Sequence, residues 1–262
     1  MSLDFRTLIS FYAEFERQIA QDAQPGLFET FPRNTSHKNG LTKLFSGYSN
    51  CEIEVFELDF TEGLGPAIDL ANASNESVSN YITAAELGSF VLNFDTRAEI
   101  YVNDADNHRV GVKVLNPCHR RFLLLKEVYH VVLRDEFMRH KVAHPDTSSP
   151  ELLVSLLEEL IFLPFSIIDF DNPDYSDAIK VEHAAELFAA LSMYPLDHVA
   201  VDRKEFLEKI GKSSMTDTLA QISSTLLYAE KYKLPRRYVD LLFRWKRFDE
   251  MHALYRQYRK GY

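Results

Sequence analysis

Apolar residues recur at helical or strand spacing along the first hundred positions. Residues 1–22 carry them at intervals of three and four, which predicts an amphipathic helix. The breaker-rich stretch 24–40 follows and is predicted to be loop. The segment "CEIEVFELDF" (51–60) alternates apolar and acidic residues, which is typical of a half-buried strand. "SFVLNF" (89–94) and "AEIYVND" (98–104) predict two strands joined by a short turn. The apolar positions of the first helix are Phe5, Leu8, Ile9, Tyr12, Phe15 and Ile19.

From Arg120 onward the periodicity is helical. A long irregular connection, 162–177, interrupts this region, and loops of that length inside a domain often form part of a functional cleft. We therefore predict an α+β fold, with a small N-terminal sheet followed by a mostly helical body and a helical C-terminus. The predicted helices cover 119–138, 150–162, 178–193, 202–210, 216–231 and 235–259.

Charge is distributed unevenly along the 262 residues. The net charge is −10, but residues 201–262 contain 14 Lys and Arg against 8 Asp and Glu. The net charge disfavours general nucleic-acid binding, whereas the asymmetry predicts a basic C-terminal region packed on, or offered by, an acidic body. Cys51 and Cys118 form no disulfide framework, and no apolar run reaches the roughly 18 residues of a membrane span. A cytoplasmic protein without membrane attachment is expected.

The segment with candidate chemistry is "RRFLLLKEVYHVVL", residues 120–133. A zinc-binding His-Glu-x-x-His helix places two histidines four residues apart on one face, with the glutamate as general base. This segment has Glu127 and His130 at the corresponding positions. Lys126 stands where the first histidine would be.

Two further segments have the order and spacing of one known family. "AEIYVNDAD" (98–106) ends a strand with Ile-x-x-Asn just before the helix, and "EHAAELFAALSMYP" (182–195) carries six anchor residues. With the 120–133 helix, they resemble the ImmA/IrrE metallopeptidase family, whose members cleave or inactivate bacterial and phage transcriptional repressors. A weaker likeness at 229–244, "AEKYKLPRRYVDLLFR", is similar to that family's closing helix-turn-helix. The six anchors are Glu182, Ala185, Phe188, Ala189, Ala190 and Pro195.

The resemblance implies a role for each matching residue. Glu127 takes the general-base position, while His130 and Glu182 take two of the three positions of the protein zinc ligands. Lys126 takes the third, and a protonated lysine has no lone pair for a metal. No cofactor is therefore expected, and zinc would bind only if another residue replaced the missing ligand. The candidates for such a rescue are His119, His183, Asp197 and His198.

The resemblance also implies an organisation and a function. Residues 1–84 would form an N-terminal region, 85–200 a zincin-like peptidase-type core, and 201–262 a basic helical region. We expect a pseudo-peptidase that binds a repressor-like regulatory protein without hydrolysing it, with loop 162–177 and strand 98–104 lining the groove. One alternative is an active zinc peptidase with a rearranged ligand set. Another is a DNA-binding module that uses the basic C-terminal helices.

The charges around the vacated metal position lead to one geometric prediction. Without an ion, Glu127 and Glu182 would face each other in a partly buried cleft, which is unfavourable for both carboxylates. We expect the Lys126 ammonium to lie within ion-pairing distance of one of them. The competing expectation is that the lysine extends into solvent, as most helix lysines do.

Other chemistry is disfavoured by the sequence. A di-iron bundle needs a second Glu-x-x-His motif, and the Asp-rich stretch 169–177 lacks the Gly and Glu of an EF-hand loop. Nucleophile-elbow and phosphate-loop motifs are also missing. The aromatic residues of the C-terminal region recur at three- and four-residue steps, which favours a packing face over a nucleic-acid surface. These apolar and aromatic positions are Tyr238, Leu241, Leu242, Trp245, Phe248, His252, Tyr255 and Tyr258.

Overall fold

The computed structural model describes a mostly helical protein. It covers residues 3–22, 52–58, 89–93, 97–103, 117–133, 165–212 and 218–260. The strands are β1 (Glu52–Leu58), β2 (Ser89–Asn93) and β3 (Arg97–Asn103). The helices are α1 (Phe5–Asp22), α2 (Pro117–Leu133), α3 (Asp177–Met193), α4 (Leu196–Lys212), α5 (Thr218–Tyr232), α6 (Arg236–Arg244) and α7 (Phe248–Arg259). The predicted helix 150–162 and the predicted loop 24–40 lie outside the described residues.

The chain forms two compact units that interleave in sequence. One, here called the sheet unit, comprises residues 35–163 and 177–185. The other, the helical unit, comprises residues 1–34, 164–176 and 186–262. Helix α3 therefore gives its first half to the sheet unit and its second half to the helical unit. The boundaries at 84 and 200 that the resemblance implies stay predictions.

The three strands of the sheet unit have the order β1-β3-β2. β3 pairs in parallel with β1 and antiparallel with β2, so Ile100 has Val55 as its partner on one side and Val91 on the other. β-branched side chains pack well on such a pleated surface. Helix α2 packs against β2 and β3.

The N-terminal helix of the helical unit is anchored at its first turn. The Asp4 carboxylate accepts a 2.7 Å hydrogen bond from the backbone N–H of Thr7, as an N-cap residue does. Asp171 accepts another, of 2.9 Å, from the N–H of Phe5. The guanidinium of Arg247 lies 3.9 Å from the centre of the Phe5 ring and 2.9 Å from Asp171. Farther along, α1 packs against α7.

The predicted apolar face of α1 is confirmed where its side chains are described. Its core residues are at most 4% exposed, and the side chain of Ile19 lies outside the described set. The packing face of the C-terminal helices is confirmed in the same way, although Leu241, His252 and Tyr258 are only half-buried. The residues with confirmed burial are Phe5, Leu8, Ile9, Tyr12, Phe15, Tyr238, Leu242, Trp245, Phe248 and Tyr255.

The prediction of one continuous helix over 235–259 is wrong. The chain leaves helical geometry at Trp245, which has extended backbone angles (φ −65°, ψ 122°) and separates α6 from α7. Trp245 is 2% exposed, and its ring packs edge-on against Phe5 at 5.8 Å and Phe165 at 5.5 Å. No Gly or Pro marks this break, so burial of the indole among distant aromatic rings overrides local helix propensity.

Helix α4 begins at Leu196, six residues before the predicted start at position 202. The backbone N–H groups of His198 and Val199 both donate to the carbonyl of Pro195, which makes Pro195 the N-cap residue just before the helix. Within the part of the chain that the structure describes, no helix is both long and apolar enough to cross a membrane.

Candidate functional site

Helix α2 is an interior helix with two polar exceptions on one face. All side chains from Phe122 to Leu133 are buried except Lys126 and His130, which are partly exposed. A helix that is apolar all round belongs in a core. Because Lys126 and His130 are four residues apart, their side chains lie one above the other on the same face. The four-residue spacing therefore brings the ammonium of Lys126 and the imidazole of His130 close together on a helix that is otherwise mostly apolar.

Helix α3 supplies the carboxylate that meets them. The first half of α3 belongs to the same unit as α2, and its Ala184 and Ala185 are fully buried. Glu182 precedes this pair of small residues and keeps 20% of its side chain exposed. The side chains of Lys126 and His130 are 12% and 17% exposed. The group is therefore partly buried and still reachable by solvent.

The two nitrogens bind the two oxygens of one carboxylate. Nζ of Lys126 donates a 2.9 Å hydrogen bond to Oε1 of Glu182. Nε2 of His130 lies 3.1 Å from Oε2 of the same group. Nζ of Lys126 is also 3.5 Å from Oε1 of Glu127, whose side chain is 3% exposed. The expected ion pair is confirmed, and the alternative in which Lys126 extends into solvent is wrong.

The contact between His130 and Glu182 differs in kind from the lysine contact. Although Nε2 of His130 is within ion-pairing distance of the carboxylate, it is buried and makes no hydrogen bond of acceptable geometry. Hydrogen bonds weaken steeply when the donor points away from the acceptor, so the imidazole contacts the carboxylate without forming one. The attraction is therefore mainly Coulombic, and it depends on whether the imidazole is protonated.

The pKa of the Glu182 carboxyl is determined mainly by the charges around it. Burial by itself would raise the pKa of this carboxyl, because a low-dielectric setting disfavours the charged form. The nearby His130 and Lys126, with the hydrogen bond from Lys126, outweigh burial and lower the pKa from 4.5 to about 2. Glu182 is consequently an anion at every physiological pH, and neighbouring side chains of the protein itself hold it in that form.

These residues do not fit a zinc ion. Zinc sites of this class use about three protein ligands and leave one position open for water. Of the three positions at which the resembled family has zinc ligands, only Glu182 and His130 carry metal-donor atoms here, and the ammonium of Lys126 already bonds to Glu182. A dication would be placed beside a positive charge. Across the described residues, no group of three or more His, Cys, Asp or Glu side chains is arranged to hold a metal ion.

The residues considered as replacement ligands have other surroundings where they are described. His183 is buried next to Glu182 on α3. Asp197 contacts His252 at 2.9 Å and Arg259 at 3.3 Å. The ring of His198 lies 6.0 Å from that of Tyr232. The side chain of His119 is outside the described set.

A second polar cluster, in the helical unit, was not predicted from the sequence. Oδ2 of buried Asp202 accepts hydrogen bonds from the hydroxyls of Tyr194 (2.8 Å) and Tyr232 (2.9 Å), and Lys231 lies 3.4 Å away. The two tyrosine rings stack at 3.8 Å. Burial, followed by the bond to Asp202, raises the pKa of Tyr194 well above its ordinary value. The residues come from α4, from α5 and from the bend after α3, so the helical spacing of any one segment does not reveal the cluster.

Comparison of the chain with protein-family models, with curated proteins and with solved structures found no match.

Proposed function

We propose that this protein is a pseudo-peptidase of the ImmA/IrrE type, in which Lys126 takes the place of the catalytic metal and the cleft binds a repressor-like regulatory protein without cleaving it. The observation that carries the proposal is the contact of one ammonium with two carboxylates, 2.9 Å from Glu182 and 3.5 Å from Glu127. The zincin-like character of the sheet unit is part of the same proposal.

The charge arrangement supports the loss of hydrolysis. A metallopeptidase needs a metal to activate water and to polarise the peptide carbonyl. An ammonium can balance two carboxylates, but it has no open coordination position for water. The general-base position, Glu127, is occupied by an ion pair with the same lysine. The residues therefore balance one another's charges and supply no hydrolytic chemistry.

The binding role rests on what the cleft retains. Lys126, His130 and Glu182 are each partly exposed, so a polar group of a partner can reach them. Strand addition to a sheet edge gives affinity through backbone hydrogen bonds and needs no chemistry. A repressor-type regulator is the partner that the family resemblance suggests.

The competing function is an active zinc peptidase with a rearranged ligand set. The feature that favours it is Nε2 of His130, which is buried without an aligned hydrogen bond and has an unused lone pair if the imidazole is neutral. Zinc binding would then require Lys126 to leave Glu182 and another donor to enter.

Metal analysis of the purified protein, Lys126→His and Lys126→Gln separates the two functions. We expect the natural protein and Lys126→Gln to retain well under one zinc per chain after dialysis. Lys126→His restores a third ligand and should bind zinc at least about 100-fold more tightly, because a third protein ligand completes the usual catalytic set. The Gln variant controls for simple loss of the lysine charge.

The same proteins can be incubated with purified repressor-type regulators and examined by mass spectrometry. Binding with the regulator intact supports the pseudo-peptidase. Stoichiometric zinc in the natural protein, together with regulator fragments that disappear in Glu127→Ala, would instead establish the active peptidase.

A further inference from the structure

One acidic side chain, Glu16, bonds helix α1 to helix α7 inside the helical unit. Its Oε2 accepts a hydrogen bond from the hydroxyl of Tyr255, which lies on α7. Its Oε1 accepts a longer one, of 3.4 Å, from Tyr12, one turn earlier on α1. Tyr12 is fully buried and Tyr255 is 2% exposed. Although Glu16 as a residue is partly exposed, both oxygens of its carboxylate are therefore bonded to hydroxyls in the core.

The neighbouring cation, Arg259, reaches this carboxylate only through a phenol. Its Nη1 donates a 3.1 Å hydrogen bond to the hydroxyl of Tyr255 and lies 3.3 Å from Oδ2 of Asp197. The other oxygen of Asp197 is 2.9 Å from Nε2 of His252. Among the residues that the structure describes, Glu16 thus has two hydroxyl donors and no cation within ion-pairing distance. The positive charge of Arg259 is shared with Asp197.

The other charged residues close to Glu16 on α1 are paired at the surface. Nη2 of Arg17 lies 2.6 Å from Oε2 of Glu14, and both side chains are about half exposed. The amide of Gln18 also donates to Glu14, at 3.0 Å. Within the described helices, the groups that act on the Glu16 carboxyl are Tyr12 on α1, Tyr255 and Arg259 on α7, and Asp197 on α4.

This environment favours the neutral form of the carboxyl. Removal of a carboxylate from water is unfavourable unless a counter-charge compensates for it. Burial accordingly raises the pKa of Glu16 above 4.5 and outweighs the hydrogen bond from Tyr255, which lowers it. Burial also raises the pKa of the Tyr255 phenol, and the charge of Glu16 raises it further, so Glu16 titrates first. Its contribution to stability is therefore fully present below pH 4.5 and is lost as the pH rises through the folded pKa.

From this interface we propose that Glu16 is a pH-sensitive latch between α1 and α7: the neutral carboxyl holds the N-terminal helix in place, and loss of its proton to solvent loosens the helix as the pH rises. The first turn of α1 has a separate anchor, because the N–H of Phe5 donates to Asp171 at 2.9 Å. The loosening should therefore affect α1 from about Tyr12 onward and leave its first turn docked. This latch is independent of the site around Lys126.

The competing role for Glu16 is purely structural. Two phenols that donate to one carboxylate can also hold it as an anion, since hydrogen bonds to the charged form favour that form. In that case Glu16→Gln would weaken the contact between α1 and α7 at neutral pH. The latch requires the opposite result, because an amide resembles the neutral carboxyl in shape and places no charge in the interface.

The test is hydrogen–deuterium exchange of the full chain, followed by mass spectrometry, from about pH 5 to about pH 8, where exchange reports local opening of helices. Each variant is compared with the natural protein at the same pH, which cancels the pH dependence of the chemical exchange rate. Glu14→Gln is the matched control, because it removes the same charge from the surface of the same helix.

At pH 8 we expect Glu16→Gln to slow exchange at least about threefold in α7 and in α1 from Tyr12 onward, since the opening no longer gains from an ionised carboxylate. The difference from the natural protein should shrink as the pH is lowered, and Glu14→Gln should show no slowing at any pH. Tyr255→Phe should speed exchange in α1 more at pH 8 than at pH 5, because only the ionised carboxylate depends strongly on that donor.

Three results would overturn the latch. One is faster exchange in Glu16→Gln than in the natural protein at pH 8, or failure of this variant to fold there by circular dichroism. Another is a difference between the two proteins that does not change with pH. The third is equal slowing in α5, which would show that Glu16 acts on the whole helical unit instead of on the contact between α1 and α7.

Discussion

The ammonium of Lys126 donates a 2.9 Å hydrogen bond to Oε1 of Glu182, a residue 56 positions farther along the chain. In the resembled family these two positions hold ligands of the same zinc ion. In this protein the residue at one of these positions is the counter-charge of the residue at the other. A monovalent side chain fixed by the fold thus balances the carboxylates that a dication would otherwise neutralise, and this relation has measurable consequences.

Lys126→Met should destabilise the protein by about 2–4 kcal/mol at neutral pH, because breaking a buried pair leaves an uncompensated charge. Urea denaturation measures the change. The double variant Lys126→Met/Glu182→Gln should recover a substantial part of the loss, since no carboxylate is then left at position 182. An unchanged free energy of unfolding in Lys126→Met would mean that the lysine contributes nothing to stability.

Glu182 should give the protein an acid-sensitive component of stability. Its folded pKa of about 2 lies below the ordinary 4.5, so its contribution is fully present above 4.5 and is lost as the pH falls towards 2. The whole contribution is on the order of 3 kcal/mol for a shift of this size. Urea denaturation from pH 7 to pH 2.5 should show the stability gap between the natural protein and Glu182→Gln narrowing over that window. A gap that stays constant with pH would contradict the assigned shift.

Asp202→Ala should cost about 3 kcal/mol, because two buried tyrosine hydroxyls lose their acceptor. Tyr232→Phe removes one of the two hydroxyl donors and should cost only about 1 kcal/mol. Asp249→Ala is the matched control, since that carboxylate is 80% exposed and its pair with Arg203 should contribute about 0.5 kcal/mol or less. Chemical denaturation compares all three, and equal losses at positions 202 and 249 would argue against a structural role for the buried cluster.

Substitutions at two adjacent residues of the connection 165–176 should have different effects, one on partner binding and the other on stability. Ile167 is 64% exposed and Ile168 is 2% exposed. Ile168→Ala should lower stability by about 2–4 kcal/mol, as removal of a buried isoleucine side chain does. Ile167→Asp should leave the melting temperature nearly unchanged but weaken binding of a repressor-type regulator, if this loop contributes to the groove. Unimpaired binding by Ile167→Asp would remove the loop from the proposed interface.

The sequence by itself determined the local elements that the structure describes. Periodicity located α1, α2 and α3 to within a few residues, because alternation of apolar and polar positions is a local property of the chain. The resemblance of the sequence to the ImmA/IrrE family also suggested that one site contains Lys126, Glu127, His130 and Glu182. The electrostatic argument then predicted the ion pair, since two carboxylates in a cleft require a nearby positive charge.

Only the tertiary structure decided where long-range burial overrides local pattern. The break at Trp245 arises because its ring packs against Phe5 and Phe165, and no local signal marks it. The Asp202 cluster joins side chains from α4, from α5 and from the bend after α3, and the pattern within any one segment does not reveal it. The early start of α4 at Leu196 is a local feature by contrast, because it is set by backbone hydrogen bonds to Pro195 that the pattern of apolar residues did not indicate. The break at Trp245 and the Asp202 cluster could not be predicted from local patterns, because the free energy of contacts between distant residues depends on which surfaces meet when the chain folds.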